Sequence, residues 1–173
     1  MHNTRFIVDS MLGDVAKWLR ILGYFALYRA DYDDEEILRT AKQKNLWILT
    51  RDKQLVAKAK KMGLKATLLP QATSIVETLA FMSKNLGLKL EIDFEKTRCP
   101  KCNGILEKRF SVGVGHAVPE NIKKNFPVVL VCKSCGAVYW PGSHYRMMLK
   151  ILREASMLRR ESEGVDYGVE FSQ

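Results

Sequence analysis

Several absences narrow this chain before any motif is considered. No run among its 173 residues approaches the roughly 20 apolar positions that a membrane-spanning helix needs. Residues 1–25 offer no charged segment followed by an apolar stretch and a small-residue cleavage site, so export is not expected and a cytoplasmic location is. Cysteine is confined to four residues, in two Cys-x-x-Cys pairs. In a reducing compartment such pairs hold metal rather than form disulfides. Acids are scarce in the second half, where Arg98 to Arg160 carries 12 lysines and arginines against Glu107, Glu120 and Glu154. There is no internal repeat and no low-complexity segment.

What is present begins with a charge imbalance. The net charge is +9, and the basic excess sits mainly in that second half, while residues 161–173 are acidic. A basic module beside a near-neutral one with clustered acids suits nucleic acid better than a membrane surface.

Between Arg5 and Leu86 the pattern alternates four times between short apolar runs and amphipathic helices. The runs are Phe6 to Val8, Tyr24 to Tyr28, Leu46 to Leu49 and Lys65 to Leu69. Connections this short predict a parallel sheet with every strand's carboxyl end on one edge. Leu88 to Phe94 also alternates and is read as a last strand or a tether. The boundary falls near Glu95 to Arg98, dividing the chain into residues 1–95, 96–160 and a loose acidic tail over 161–173. His144 to Arg160 predicts a basic amphipathic helix, grouped with the second module.

Cys99-Pro-Lys-Cys102 and Cys132-Lys-Ser-Cys135 each carry glycine at the next residue or one beyond. The two-residue gap aims both sulfurs of a pair at one ion, and four thiolates make a closed, structural Zn²⁺ site. The long gap between pairs fits a zinc ribbon with an elongated hairpin.

Acids follow the first three strands: Asp9, the Asp31/Asp33/Asp34 group and Asp52. On one sheet edge they would repel unless a divalent ion offsets them, and oxygen-only ligands select Mg²⁺ or Mn²⁺. Each acid is also a good helix cap, Asp33 or Asp34 for the second helix and Asp52 for the third. Asp34 ranks ahead of Asp33 as the ligand because it opens the helix. Lys17, Arg20, Arg51, Arg98, Arg109, Lys123, Lys124, Arg146, Lys150 and Arg153 could meet an RNA backbone, with Tyr139, Trp140 and Tyr145 for stacking. Core packing suits Tyr139 better. Neither His116 nor His144 has a partner that would make it a base.

With these residues placed, the chain resembles the Mut-seven C-terminal RNase domain family. The likeness rests on Phe6-Ile-Val-Asp9, Ala16 to Gly23, Asp33-Asp34-Glu35-Glu36-Ile-Leu and Ile48-Leu-Thr-Arg-Asp52. It continues through Arg98 to Asn103 and Cys132 to Tyr145. The resemblance implies an α/β chain: a PIN-like three-layer α/β/α domain followed by a zinc ribbon and a basic C-terminal helix. It implies metal-dependent RNA cleavage, with Asp9, Asp34 (or Asp33) and Asp52 as catalytic acids. Ribosomal RNA is among the family-level substrates it suggests. PIN nucleases commonly add a fourth acid after the fourth strand, and Leu68-Leu69-Pro70-Gln71 has none. A non-catalytic RNA- or ribosome-binding module is the competing expectation. A phosphoacceptor receiver domain ranks last, since no lysine ends a fifth strand and it leaves the ribbon unexplained.

Overall fold

Four short strands make the first sheet: β1 (Arg5–Val8), β2 (Phe25–Leu27), β3 (Trp47–Thr50) and β4 (Ala66–Leu68). They run parallel in the order β2-β1-β3-β4, with Val8 opposite Leu49 and Thr50 opposite Leu68. The computed structural model describes residues 4–71 and 74–164. Residues 6–8 and 47–49 of the two central strands are apolar because helices cover both faces of the sheet. Side-chain alternation divides the core accordingly. Ile7 and Ile48 pack with Ile37, Leu38 and Ala41 of α2 (Asp34–Lys44) and Leu55 and Ala59 of α3 (Lys53–Lys61). Phe6, Val8 and Leu49 pack with α1 (Gly13–Ile21) and α4 (Ile75–Leu86).

Each helix has local reasons for its limits. Asp33 and Glu36 form a capping box on α2, Asp52 caps α3 and Ser74 caps α4. Gly87 closes α4 in the left-handed region at φ 67°. Gly23, at φ +89°, turns α1 into β2, and a Cβ there would stand 3.2 Å from the Lys96 carbonyl oxygen. The chain entering the second module therefore lies directly on the end of α1. Arg98 N–H donates to the Arg20 carbonyl at 2.8 Å, which also accepts from the Gly23 N–H at 3.0 Å, and the Thr97 hydroxyl donates to the Ile21 carbonyl at 2.9 Å.

Residues 88–94 form no strand; they are the tether. Their alternation has another cause, because Leu88, Leu90 and Ile92 pack on the first hydrophobic cluster. Beyond the tether, β5 (Leu106–Phe110), β6 (Val128–Cys132) and β7 (Val138–Tyr139) form an antiparallel sheet. Leu106 pairs with Cys132 and Leu130 with Tyr139. The polar stretch between β5 and β6 holds a short helix, α5 (Glu120–Asn125).

The last helix, α6 (Ser143–Gly164), reaches beyond the module with which the sequence groups it. Its buried residues Leu152 and Ala155, with Met148 and Ile151 beside them, join the cluster under α4, and Arg159 donates to Ser83 Oγ at 3.2 Å. An amphipathic pattern states that a face is buried but not against what. The later turns of α6 close over the first sheet's helices, while its start at His144 and Tyr145 lies beside the ribbon strands. The helix also continues through the start of the segment read as a loose tail, whose remaining residues, 165–173, lie outside the described residues.

Candidate acidic site and cysteine centre

At the carboxyl edge of the first sheet, Asp9 leaves β1 with its N–H still bonded to the Leu49 carbonyl at 3.0 Å. This holds the residue in register with β3. The residue is 6% exposed. One carboxylate oxygen accepts from the Thr50 hydroxyl at 2.5 Å, and the other from the Ser10 hydroxyl at 3.3 Å. The Thr50 oxygen in turn accepts from the Asp52 N–H at 2.9 Å. Thr50 is itself fully buried, so Asp9 and Asp52 share one fixed hydroxyl. Tyr28 donates to the Ser10 carbonyl at 2.9 Å and steadies the turn into α1.

The other acids divide by duty. Asp33 Oδ1 accepts from the Glu36 N–H at 2.8 Å and is spent on the cap. Asp52 Oδ1 accepts from the Gln54 N–H at 2.6 Å, and its other oxygen makes no hydrogen bond among the described residues. Asp34 faces α3, where its Oδ2 lies 2.8 Å from Lys58 Nζ. That bond is the main reason the Lys58 ammonium is raised above its usual value, with the Asp34 charge next and Asp52 and Glu35 adding lesser attraction. Asp31 stands off in a surface pair with Arg29, whose hydrogen bonds hold its carboxyl below the usual range. The carboxylates of the site thus gather at one edge without touching. Among the described residues only the cysteine quartet brings three or more potential ligand atoms within 4.8 Å of one another.

In that quartet, Cys99 and Cys135 sulfurs are 3.7 Å apart and Cys102 and Cys132 sulfurs 3.4 Å. A tetrahedral ion with Zn–S bonds of about 2.3 Å sets its sulfurs about 3.8 Å apart, so the four could hold a metal such as zinc. The two knuckles repeat one turn. Asn103 N–H donates to the Cys99 carbonyl at 2.8 Å and Gly136 N–H to the Cys132 carbonyl at 3.0 Å, with φ +68° and +71°. A Cβ on Gly104 would stand 2.8 Å from the Cys132 sulfur, so that position needs glycine.

The thiols shift one another's titration. Burial pushes Cys132 up, but the Cys135 and Ser134 N–H groups and neighbouring thiols outweigh it and bring the group down to about 7. Cys102 is pushed up to about 12, by burial first and then by competition from the other thiols. Four adjacent thiolates need a positive ion to coexist. Tyr139 adds its hydroxyl 3.1 Å from the Cys99 sulfur, so this ring serves the centre rather than a base.

The first knuckle is fastened to the sheet by a polar clamp. On β2, an edge strand, the Ala26 N–H donates to Asn103 Oδ1 at 3.2 Å and the Ala26 carbonyl accepts from Arg20 Nε at 3.0 Å. Arg20 also donates to the Pro100 carbonyl at 2.9 Å, and Arg98 Nε to the Asn103 carbonyl at 2.9 Å. Two side chains thereby fill the place of a further strand and cover an edge that would otherwise invite pairing. Arg20 is 5% exposed, and burial draws its guanidinium below the usual value while the Cys99 and Cys102 charges oppose that.

Two of the cations read as RNA contacts are engaged inside the fold. Arg20 and Arg98 are struts of the knuckle, with Arg98 also 5.4 Å over the Phe25 ring. Arg51 is half-buried and donates to the Pro70 carbonyl at 3.0 Å, beside the position where a fourth acid is missing. Lys17 pairs with Asp14, Arg109 with Glu107, Lys123 with Glu120 and Lys150 with Glu154, all near or at the surface. Arg146 and Lys124 are exposed with no acidic partner among the described residues. Sequence reasoning missed Thr50, Lys58 and Asn103. A hydroxyl two residues before Asp52 was the available signal for the first; the others depend on contacts between distant segments.

The family model for the Mut7-C RNAse domain matches residues 4–152, and the chain belongs to that family. Membership points to a ribonuclease-type function, with RNA as the substrate class. No curated protein and no solved structure matches the chain.

Proposed function

We propose that this protein is a metal-dependent ribonuclease whose acidic edge hydrolyses RNA phosphodiester bonds, acting within the chain rather than from its ends. The observation that carries this is the Asp9–Thr50–Asp52 linkage, a buried carboxylate held by a shared hydroxyl next to a second carboxylate with one oxygen to spare. Helices on both sides of a parallel sheet support a PIN-like layering for the first body.

The donor set is all oxygen, which fits Mg²⁺ or Mn²⁺, and Mg²⁺ sites commonly use one or two carboxylates with water for the rest. Asp9 and Asp52 would hold the ion, with Asp34 completing the set after leaving Lys58. A bound ion supplies charge against the phosphate and lowers the pKa of an attacking water. Thr50 fixes the Asp9 carboxylate so that it need not reorganise during reaction. Arg51, anchored at Pro70, supplies a cation at the same mouth for the scissile phosphate. Four thiolates hold Zn²⁺ in a structural role, and the ribbon presents basic side chains to the RNA backbone. The reading extends to a cytoplasmic protein of two modules divided near residue 95. Ribosomal RNA is one substrate within its reach.

A non-catalytic RNA-binding module is favoured by one observation, the spending of Asp33 on a cap and of Asp34 on Lys58. A closed circular RNA separates these readings. An endonuclease linearises it when Mn²⁺ is added and leaves it closed otherwise. Cutting of linear RNA alone would replace the endonucleolytic reading with an exonucleolytic one, and binding without any cutting would leave the non-catalytic module.

A further inference from the structure

Where the tether, the ribbon sheet and the start of α6 meet, the surface encloses a cleft of about 740 Å³. Its lining includes Ile21, Phe94, Lys108, Trp140, Tyr145 and Met148. The acids Asp9, Asp34 and Asp52 do not line it, and neither do the four cysteines. The size falls within the range of ligand sites, about 300–1,000 Å³, and such sites favour junctions between modules.

Two features of the lining select its occupant. The first is aromatic. Phe94 and Tyr145 stand 5.3 Å apart with their planes tilted by 40°, and Trp140 lines the same space. Trp140 is set by its backbone neighbour, since a Cβ on Gly142 would come 3.1 Å from the indole nitrogen. Aliphatic residues fill out the lining and exclude water, while the rings offer surfaces on which planar groups stack.

The second feature is charge. Lys108 lines the cleft, and the stretch Arg98 to Arg160, which supplies most of the lining, carries 12 lysines and arginines against three acids. Lys101, Lys124 and Arg146 are exposed and have no acidic partner among the described residues. Of the acids in the neighbourhood, Glu95 pairs with Lys108 and Glu120 with Lys123. An apolar peptide would gain nothing from the basic charge of the surrounding module, whereas a polyanion with planar apolar groups uses both features.

We infer that this cleft binds unpaired nucleotides of single-stranded RNA, stacking bases on Trp140 and Tyr145 while the phosphates meet Lys124 and Arg146. This rests on the ribonuclease reading for its substrate class and adds a choice within it. A duplex keeps its bases stacked inside the helix and cannot supply them to the cleft; loops, bulges and single-stranded ends can. The site is therefore a positioning site for unpaired RNA, separate from the acids that would cut it.

The test uses the full chain loaded with zinc, in an Asp9→Asn background so that the RNA stays whole. Fluorescence anisotropy compares a labelled single strand with the blunt duplex of the same sequence. Trp140→Ala and Tyr145→Ala each weaken single-strand binding about 10-fold, within the range known for base–aromatic stacking, and leave duplex binding unchanged. Trp140→Phe stays within about threefold of the parent on the same grounds. Lys124→Ala with Arg146→Ala lowers the salt dependence instead. Tyr145 lies on α6 and Trp140 just after the ribbon sheet, so agreement between them is not a folding artefact of one module. Unchanged single-strand affinity in Tyr145→Ala, equal losses for strand and duplex, or capture of an apolar peptide that RNA cannot displace would overturn the proposal. Binding as described by a protein that never cuts retires the ribonuclease reading alone. Cutting by the wild type with affinity unaffected in both aromatic variants retires the cleft alone.

Discussion

The Thr50 hydroxyl donates to the Asp9 carboxylate at 2.5 Å while its oxygen accepts from the Asp52 N–H at 2.9 Å. One buried side chain thus sets the geometry of two acids on neighbouring parts of the sheet edge. Thr50→Val keeps the shape and removes both bonds. It should weaken Mn²⁺ binding by about 10–100-fold, as loss of an outer partner of a metal ligand does. Isothermal titration with Mn²⁺ measures this, and Thr50→Ser, which keeps the hydroxyl, should stay close to wild type.

Asp33 and Asp34 are adjacent in sequence but differ in duty. Asp33→Ala removes the cap on α2 and should cost about 1 kcal/mol of stability. It should leave cleavage by the folded fraction intact. Asp34→Asn loses only an exposed pair with Lys58, so stability should hold while cleavage falls. Denaturant melts run beside cleavage assays distinguish the two, and the reverse pattern would exchange their roles.

Arg20 is basic but is not available to RNA. Arg20→Met strands the Ala26 and Pro100 carbonyls, at about 1–3 kcal/mol for each buried group left unpaired. Arg20→Lys should not rescue it, because one ammonium cannot span acceptors on β2 and the knuckle as the guanidinium fork does. The slope of RNA affinity against salt should be unchanged in the folded variant, whereas Arg146→Ala should reduce it by about one.

Metal removal should be felt in the first sheet as well as in the ribbon. The knuckle that a metal would order is the one that places Asn103 on the Ala26 N–H. A chelator that strips the quartet should therefore speed hydrogen exchange at Ala26, which sits at the centre of β2, as well as in the ribbon strands. Faster exchange confined to residues after 98 would contradict the clamp.

Much of this was legible from local pattern. The alternation of apolar runs with amphipathic stretches gave the parallel sheet, since short connections leave few other solutions. The Cys-x-x-Cys spacing gave the quartet because two residues between cysteines fix the turn. Asp9 stands out as the acid directly after β1 and Asp52 as the acid two residues after β3. Pattern failed where the meaning of a residue depends on a distant partner. The alternation of Leu88, Leu90 and Ile92 looked compatible with a strand and is instead packing of a tether. The amphipathic face of α6 could not announce that α4 was its partner. Arg20 and Arg98 carry charge that suggested RNA, yet their donors are used inside the fold. Which acid caps and which is left over at residues 33 and 34 is decided by helix geometry one residue at a time.

The central claim is that Asp9 anchors a metal-dependent ribonuclease site. It is tested most directly by incubating zinc-loaded wild type and Asp9→Asn with the same labelled RNA, each with and without added Mn²⁺. The account predicts cleavage by the wild type only when Mn²⁺ is present and a loss of at least about 100-fold in Asp9→Asn, with zinc content and RNA affinity preserved. Equal cleavage by the two proteins, or cleavage by neither while both bind RNA, would contradict it.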